Sequence, residues 1–351
     1  MMTHVHSPEI LACKIIKMSA TVPTRRPFII YLLGPQDLGK TLYSAALIKI
    51  ATTLAKPMKW RGQTWKLTME NLASIPNDSF RSYLPELTST QKLNPVTQPT
   101  AIDRPGIYCF TLTRDSLRSD RSSQQFIVFD PSGAWAIPQT AADRQQPEMK
   151  SIERSWELCN PIAERIFRQP LATRMDALLF INGNVAPKGD PIKSNPAQTA
   201  QAVIDYITSS LSSNSAEDSN SSKPFLANFI LYYTASEFLF TPMAHQTLND
   251  ILMQVNASPR IRAKSYSDYV DIEYKDYVQK IMDVYAKKLR ASLGYLVDTE
   301  PFFGSPPGQT LDGRRNWSFR TNTFIDFERW HPLFVLEPLI ELVCLSWGEP
   351  A

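Results

Sequence analysis

Residues 27–55 read PFIIYLLGPQDLGKTLYSAALIKIATTLA. An apolar run, Phe28, Ile29, Ile30, Tyr31, Leu32 and Leu33, leads into residues 34–41 (GPQDLGKT). Leu42, Ala45, Ala46, Leu47 and Ile50 then recur at roughly the 3.6-residue period of a helix, which the spacing carries to about residue 55. The order is buried strand, glycine-bounded loop, helix. The loop has the spacing G-x-x-x-x-G-K-[ST] of a phosphate loop.

Each position has a physical reason. The first turn of a helix has unpaired N–H groups and positive dipole character, which suits a polyphosphate. Gly34 and Gly39 let the backbone turn and come close to phosphates with no Cβ in the way. Lys40 offers a positive charge to β- and γ-phosphates, and Thr41 offers a hydroxyl to Mg2+. The candidate nucleotide contacts here are Gly34, Asp37, Leu38, Gly39, Lys40, Thr41 and Leu42.

The chain has 351 residues, enough for one large domain or one domain with an appendage. Hydrophobic residues make up 43% and charged residues 20%, the balance of an ordinary soluble globular protein. A net charge of +3 gives no strong pull toward nucleic acid or a membrane surface. Cys13, Cys109, Cys159 and Cys344 are far apart in sequence and do not cluster with the histidines, which argues against a disulfide scaffold or a zinc site and for a reducing cytoplasm. His331, before Pro332, reads as a packing or turn residue. No signal peptide is visible. Residues 10–18 are apolar but broken by Lys14 and Lys17, and are too short to span a bilayer.

Taken in order, residues 1–25 read as an N-terminal extension with a short helix near 9–18. Residues 26–351 read as a single domain. Residues 56–105 are irregular and proline-rich, with Trp60 and Trp65 flanking Arg61-Gly62, which reads as a turn between short strands, and with a helix at 80–92. Residues 106–113 (GIYCFTLT) and 125–130 (QFIVFD) read as two strands, antiparallel because their connection is short. Helices are expected at 151–169, 195–211, 248–255 and 266–292. Further strands are expected at 176–182, 225–233 and 295–297. Residues 209–223 are serine-rich and read as a flexible insertion. Residues 298–332 are rich in Gly, Pro and Arg. Residues 332–345 close the chain as a helix that Pro338 kinks or splits.

The strand 125–130 runs into Asp130-Pro131-Ser132-Gly133. An acidic residue at the C-terminal end of a buried strand faces the ligand crevice of an open α/β sheet. Its chemistry suits a water-mediated Mg2+ ligand, and Gly133 lets a backbone N–H reach a γ-phosphate. The same four residues also serve as a plain strand-ending turn.

These residues together resemble the TRAFAC class of P-loop GTPases. The carriers are residues 34–41, a threonine in the proline-rich stretch LNPVTQPT (Thr97 or Thr100), and residues 130–133 after the antiparallel strand. The LNPVT wording, DPSG and the late segment WHPLFVLEPLIELV are similar to the divergent bacterial double-GTPase proteins of prokaryotic conflict systems. The resemblance implies an α/β fold, a three-layer αβα sandwich on a mostly parallel sheet with one antiparallel strand. It implies a Mg2+-dependent, GTP-hydrolysing switch with a protein partner that supplies or regulates hydrolysis, with an ATPase or a non-hydrolysing scaffold as alternatives.

Residue by residue, the resemblance gives Lys40 the β- and γ-phosphates and gives Thr41 the metal. Thr97 becomes the switch threonine that completes the metal shell, with Thr100 as the alternative. Asp130 binds Mg2+ through water and Gly133 senses the γ-phosphate. Asp37 becomes a candidate holder of a monovalent cation, with a solvent-facing role as its plain alternative. The base-reading motif survives only as Thr234-Ala235-Ser236-Glu237, in which Glu237 can still accept from a guanine but the lysine is missing. Ala134 stands where many members carry a water-orienting glutamine, which implies slow intrinsic hydrolysis.

Overall fold

The computed structural model describes residues 25–34, 38–54, 57–60, 63–72, 104–115, 123–132, 152–182, 224–234, 302–308, 310, 314–318, 323–327, 330 and 332–348. Its centre is β1 (Phe28–Leu33), buried at every position. A strand that is paired on both edges and covered on both faces has no polar face to offer. Its sequence is therefore continuously apolar instead of alternating.

Seven more strands join it: β2 (Met58–Trp60), β3 (Gln63–Met69), β4 (Gly106–Asp115), β5 (Ser123–Asp130), β6 (Arg174–Asn182), β7 (Phe225–Thr234) and β8 (Phe302–Phe303). Their spatial order is β2-β3-β4-β5-β1-β6-β7-β8. The neighbours from β5 through β1, β6 and β7 to β8 pair in parallel. The other three pairings are antiparallel. A separate two-stranded ribbon is made by β9 (Trp317–Ser318) and β10 (Thr323–Phe324).

One expectation about this sheet is corrected. In place of a single antiparallel strand there is a meander, in which both β4 and β2 run against the rest. The cause is local. Only residues 61–62 separate β2 from β3, and so short a link allows antiparallel pairing alone. Met58 then faces Trp65 and Trp60 faces Gln63. This hairpin takes 58–69 out of the stretch expected to be irregular.

Around β1 the sheet is buried on both faces. Phe28, Ile30 and Leu32 share a core with Phe110, Val128, Phe180 and Tyr232. Against this face lie α1 (Lys40–Lys49) and α3 (Glu337–Ser346). Leu339, Ile340, Leu342 and Val343 of α3 are fully buried, each contributing about 1.5–3 kcal/mol. On the opposite face Tyr31 packs on Phe129 with ring centroids 5.1 Å apart. There α2 (Ile152–Ile166) approaches, its Ser155 hydroxyl donating to Tyr31 Oη at 3.5 Å.

Two helix boundaries differ from the sequence reading. The α-helical part of α1 stops at Lys49 and continues as a wider π-helical turn over Ile50–Leu54. Pro338 neither kinks nor splits a closing helix; it sits in the first turn of α3. A proline is at home there, because its missing N–H has no partner at that position anyway. The expected helices at 9–18, 80–92, 195–211, 248–255 and 266–292, the strand at 295–297 and the insertion 209–223 lie outside the described residues. Among the described residues, no helix is long and apolar enough to cross a membrane.

Candidate functional site

The site grows from the C-terminal end of β1. Gly34 follows the strand at φ 149°, a backbone angle that side chains rarely adopt. A Cβ built there would lie 2.9 Å from Phe180 Cβ and 3.0 Å from the Phe180 carbonyl oxygen. The loop therefore begins pressed against β6, and only glycine fits. Gly39 closes the loop at φ 76°, as the left-handed N-cap of α1, and no described side chain caps the helix. The first-turn N–H groups of a helix have no partner within the helix itself.

Lys40 opens α1 with only 6% of its surface exposed, and its Nζ donates to the Gly34 carbonyl at 2.8 Å. The ammonium is held back across the loop, between the end of the strand and the start of the helix. A hydrogen bond to an ionised group is stronger than a neutral one, so this contact fixes the lysine against the end of β1.

One residue further on, Thr41 Oγ1 donates to Asp130 Oδ2 at 2.8 Å across 89 residues of sequence. Asp130 ends β5 and is 0% exposed. Strand β5 lies directly beside β1, so the two strand ends bring the helix hydroxyl and the carboxylate together. From the other side β7 ends at Thr234, whose Oγ1 would lie 3.5 Å from a Cβ on Gly39. Gly34, Gly39, Lys40, Thr41, Asp130 and Thr234 are thus assembled from the ends of three strands and one helix. Leu38 and Leu42 pack partly buried against the core.

The remaining candidates stand elsewhere. Asp37, Thr97, Thr100, Gly133, Ala134 and Glu237 lie outside the described residues. Arg104 is exposed, two residues before Gly106, whose register partner is Asp130.

The donor set suits one kind of metal. A threonine hydroxyl and one carboxylate are hard oxygen donors, and Mg2+ is commonly held by one or two carboxylates together with substrate phosphates. No group of three His, Cys, Asp or Glu that could cage an ion exists among the described residues. Two such donors could hold an ion together with oxygens of a bound ligand. Cys109, Cys159 and Cys344 are free and buried, and burial raises the thiols of Cys109 and Cys159.

Two features escaped the sequence. Gly106 and Tyr108 read only as residues of a strand, yet Gly106 sits opposite Asp130. Asp176 read only as the start of a buried strand. It is in fact a fully buried carboxylate that accepts from the Arg174 guanidinium and from Asn228 of β7. Burial drives its pKa up to about 6, against the opposing pull of Arg174 and Asn228. An Asp inside an apolar strand and an Arg two residues before it were the available signal.

Comparison with known proteins adds no relative: no protein-family model matches the chain, and no curated protein matches it.

Proposed function

We propose that this chain is a Mg2+-dependent nucleoside triphosphatase of the P-loop type, a three-layer αβα protein that works as a GTP-driven switch. The observation that carries the reading is the Thr41–Asp130 hydrogen bond of 2.8 Å, formed directly beside a glycine-bounded loop whose lysine turns back on it. Motif matches arise by chance. A motif hydroxyl meeting a strand-end carboxylate from 89 residues away is a second, independent coincidence.

In this reading the Gly39 end of α1 offers its N–H groups to the β- and γ-phosphates, and Lys40 adds its ammonium to the same oxygens. Thr41 would hold a bound Mg2+ by its hydroxyl, and Asp130 would hold it through water. A bound Mg2+ supplies charge neutralisation at the phosphate oxygens. Thr97, or Thr100 in its place, and Gly133 respond to the γ-phosphate, so loss of that group releases the loops around 93–104 and 131–148. Asp37 is the residue to hold a monovalent cation, if one is used. Thr234 and Glu237 face the base, with GTP favoured over ATP. Ala134 leaves the attacking water without a glutamine, so a protein partner completes hydrolysis. The likeness to the double-GTPase proteins extends the reading to a bacterial conflict system in the cytoplasm.

Denaturing the purified protein and chromatographing the released nucleotide tests this directly, together with displacement of fluorescent GTP by unlabelled GTP or ATP in Mg2+. Bound guanine nucleotide, and loss of binding and turnover in Lys40→Ala, are expected. Equal displacement by ATP would move the chain to the ATPases. Binding with turnover no faster than in Lys40→Ala would make it a nucleotide-holding scaffold. No binding of either nucleotide would overturn the reading.

A further inference from the structure

We propose that, on the nucleotide reading of the site given above, the C-terminal segment carrying Phe327, Trp330 and Val335 is a clamp on α1. Tyr43 is then the positioning residue through which that clamp sets Lys40 and Thr41.

Helix α1 is gripped at two places by this one part of the chain. Near the start of the helix the Tyr43 hydroxyl donates to the Val335 carbonyl at 2.6 Å, across 292 residues of sequence. Tyr43 and Val335 are both buried, so water does not compete for either group. At the end of the helix Lys49 holds its ammonium over two rings, 4.6 Å from the Trp330 centroid and 5.1 Å from the Phe327 centroid. A cation over an aromatic face is attracted electrostatically. The gripping segment is itself anchored at the edge of the sheet. Ser305, two residues beyond β8, exchanges backbone hydrogen bonds of 3.0 Å with Leu333 in both directions, and the Trp330 indole donates to the Pro306 carbonyl at 2.8 Å. Phe334, between Leu333 and Val335, sits at φ 50°. A bulky side chain keeps that angle only where the surrounding contacts hold it there.

What the clamp holds is the turn that carries the site. Tyr43 follows Lys40 by three residues, on the same face of the helix, and its amide donates to the Gly39 carbonyl at 2.8 Å. Its ring meets Phe180 and Tyr232 edge-on, with centroids 5.3 Å and 5.1 Å away. Phe180 is also the residue that leaves no room for a Cβ at Gly34. The bond from Tyr43 to Val335 therefore fixes one turn of α1 both along its axis and in rotation, with Lys40 and Thr41 in that turn. Such placement matters, because a displacement of about 1 Å caused far from the chemistry can cost roughly 100-fold in rate. The coupling also runs both ways. Whatever the docked segment adds to nucleotide affinity, bound nucleotide adds to the docking of the segment.

The test pairs Tyr43→Phe, which removes the hydroxyl and keeps the ring, with Lys49→Met, which removes the cation and keeps an apolar stem. A fluorescent, non-hydrolysable GTP analogue in Mg2+ is titrated against the full-length wild type and each variant, at a temperature where urea unfolding shows all of them folded. Trp156→Phe is the control: it takes a 2.9 Å donor from the Ala172 carbonyl on α2, against the opposite face of the sheet. Both clamp variants should bind the analogue about fivefold or more weakly, and Trp156→Phe should bind it as the wild type does. Hydrogen exchange at residues 332–336 should slow when the analogue is added to the wild type, and slow less in Tyr43→Phe. Wild-type affinity in either folded clamp variant would overturn the clamp and leave the nucleotide site standing. So would exchange at 332–336 that ignores the analogue. An equal loss in Trp156→Phe would overturn it too, since general destabilisation would then account for the effect. If Tyr43→Phe does not fold, Lys49→Met decides by the same criterion. A wild-type protein that binds no analogue would remove the nucleotide reading, and this proposal with it.

Discussion

Replacing Asp176 with asparagine removes a carboxylate from the middle of the sheet. Its two oxygens accept from Arg174 Nε at 3.1 Å and Nη2 at 3.3 Å, and from the Asn228 backbone N–H at 3.2 Å and Nδ2 at 2.9 Å. Burial is the larger influence and favours the neutral acid, so the group titrates at about 6 instead of 3.8. Between those two values the native protein holds a proton that the unfolded chain has released. Stability from this group is therefore greatest below about pH 4, falls as the pH rises, and levels off above about pH 6. A shift of about two pH units, at about 1.4 kcal/mol each, gives about 3 kcal/mol. Exposure is 0%, so solvent screening does little to reduce it. The assay is urea unfolding of wild type and Asp176→Asn at a series of pH values from about 4 to about 7.5. Taking the difference between the two proteins cancels every other titrating group. Wild type should lose about 2–2.5 kcal/mol relative to the variant across that range, the rest of the loss falling below pH 4. A flat difference would mean that Arg174 and Asn228 offset burial fully. Wild type gaining stability relative to the variant as the pH rises would mean that the ion pair prevails, and either result would refute the reasoning.

Three other substitutions probe the site and its support. Tyr43→Phe should destabilise by about 1–3 kcal/mol in urea unfolding, because the buried Val335 carbonyl loses the hydroxyl that donates to it at 2.6 Å while the ring contacts to Phe180 and Tyr232 remain. A loss below about 0.5 kcal/mol would show that this bond does not hold α1 to the C-terminal segment. Gly34→Ala should cost about 1–3 kcal/mol from backbone strain alone and also weaken fluorescent-GTP binding, since its Cβ would strike Phe180. Unchanged stability and affinity together would mean that the loop has room the geometry denies. Thr41→Val keeps the shape but not the donor to Asp130, so about tenfold more Mg2+ should be needed for half-maximal nucleotide binding. An unaltered Mg2+ requirement would separate Thr41 from the metal.

The sequence was most legible where local physics decides the outcome. An apolar run followed by a glycine-bounded loop can hardly be anything but β1 leading into α1. The strands ending at Asp115 and Asp130 stood out by alternation, and their short connection set them antiparallel. The β2–β3 hairpin was only half visible. Trp60 and Trp65 hinted at two strands, but joining them to β4 requires the register Met69↔Phe110, which no local signal carries. Asp176 was opaque for the same reason. One of its partners lies on β7, across a register shift between Met175 and Asp176. The candidate site shows the same division. The loop and the strand-end Asp were readable as motifs, whereas their approach to hydrogen-bonding distance follows from β5 lying next to β1. That position 106 has no room for a side chain is equally hidden, because the space is taken by Tyr108, two residues along the same strand.

The packing of α3 has a consequence for how the protein comes into being on the ribosome. This helix covers the face that carries α1, and its flanks are bound to distant parts of the chain. Trp347 donates to Gln124 and stacks on Trp65, Glu341 accepts from Trp60, and the Ser346 carbonyl accepts from Arg25. Synthesis runs from the amino end, so β1 to β7 and α1 emerge long before residues 333–348. Nascent chains must wait with that part of the apolar face uncovered until α3 is made. Translation pausing before residue 333, or a stop codon there, should therefore yield chains that aggregate or are degraded, even though every residue of the glycine-bounded loop is already present.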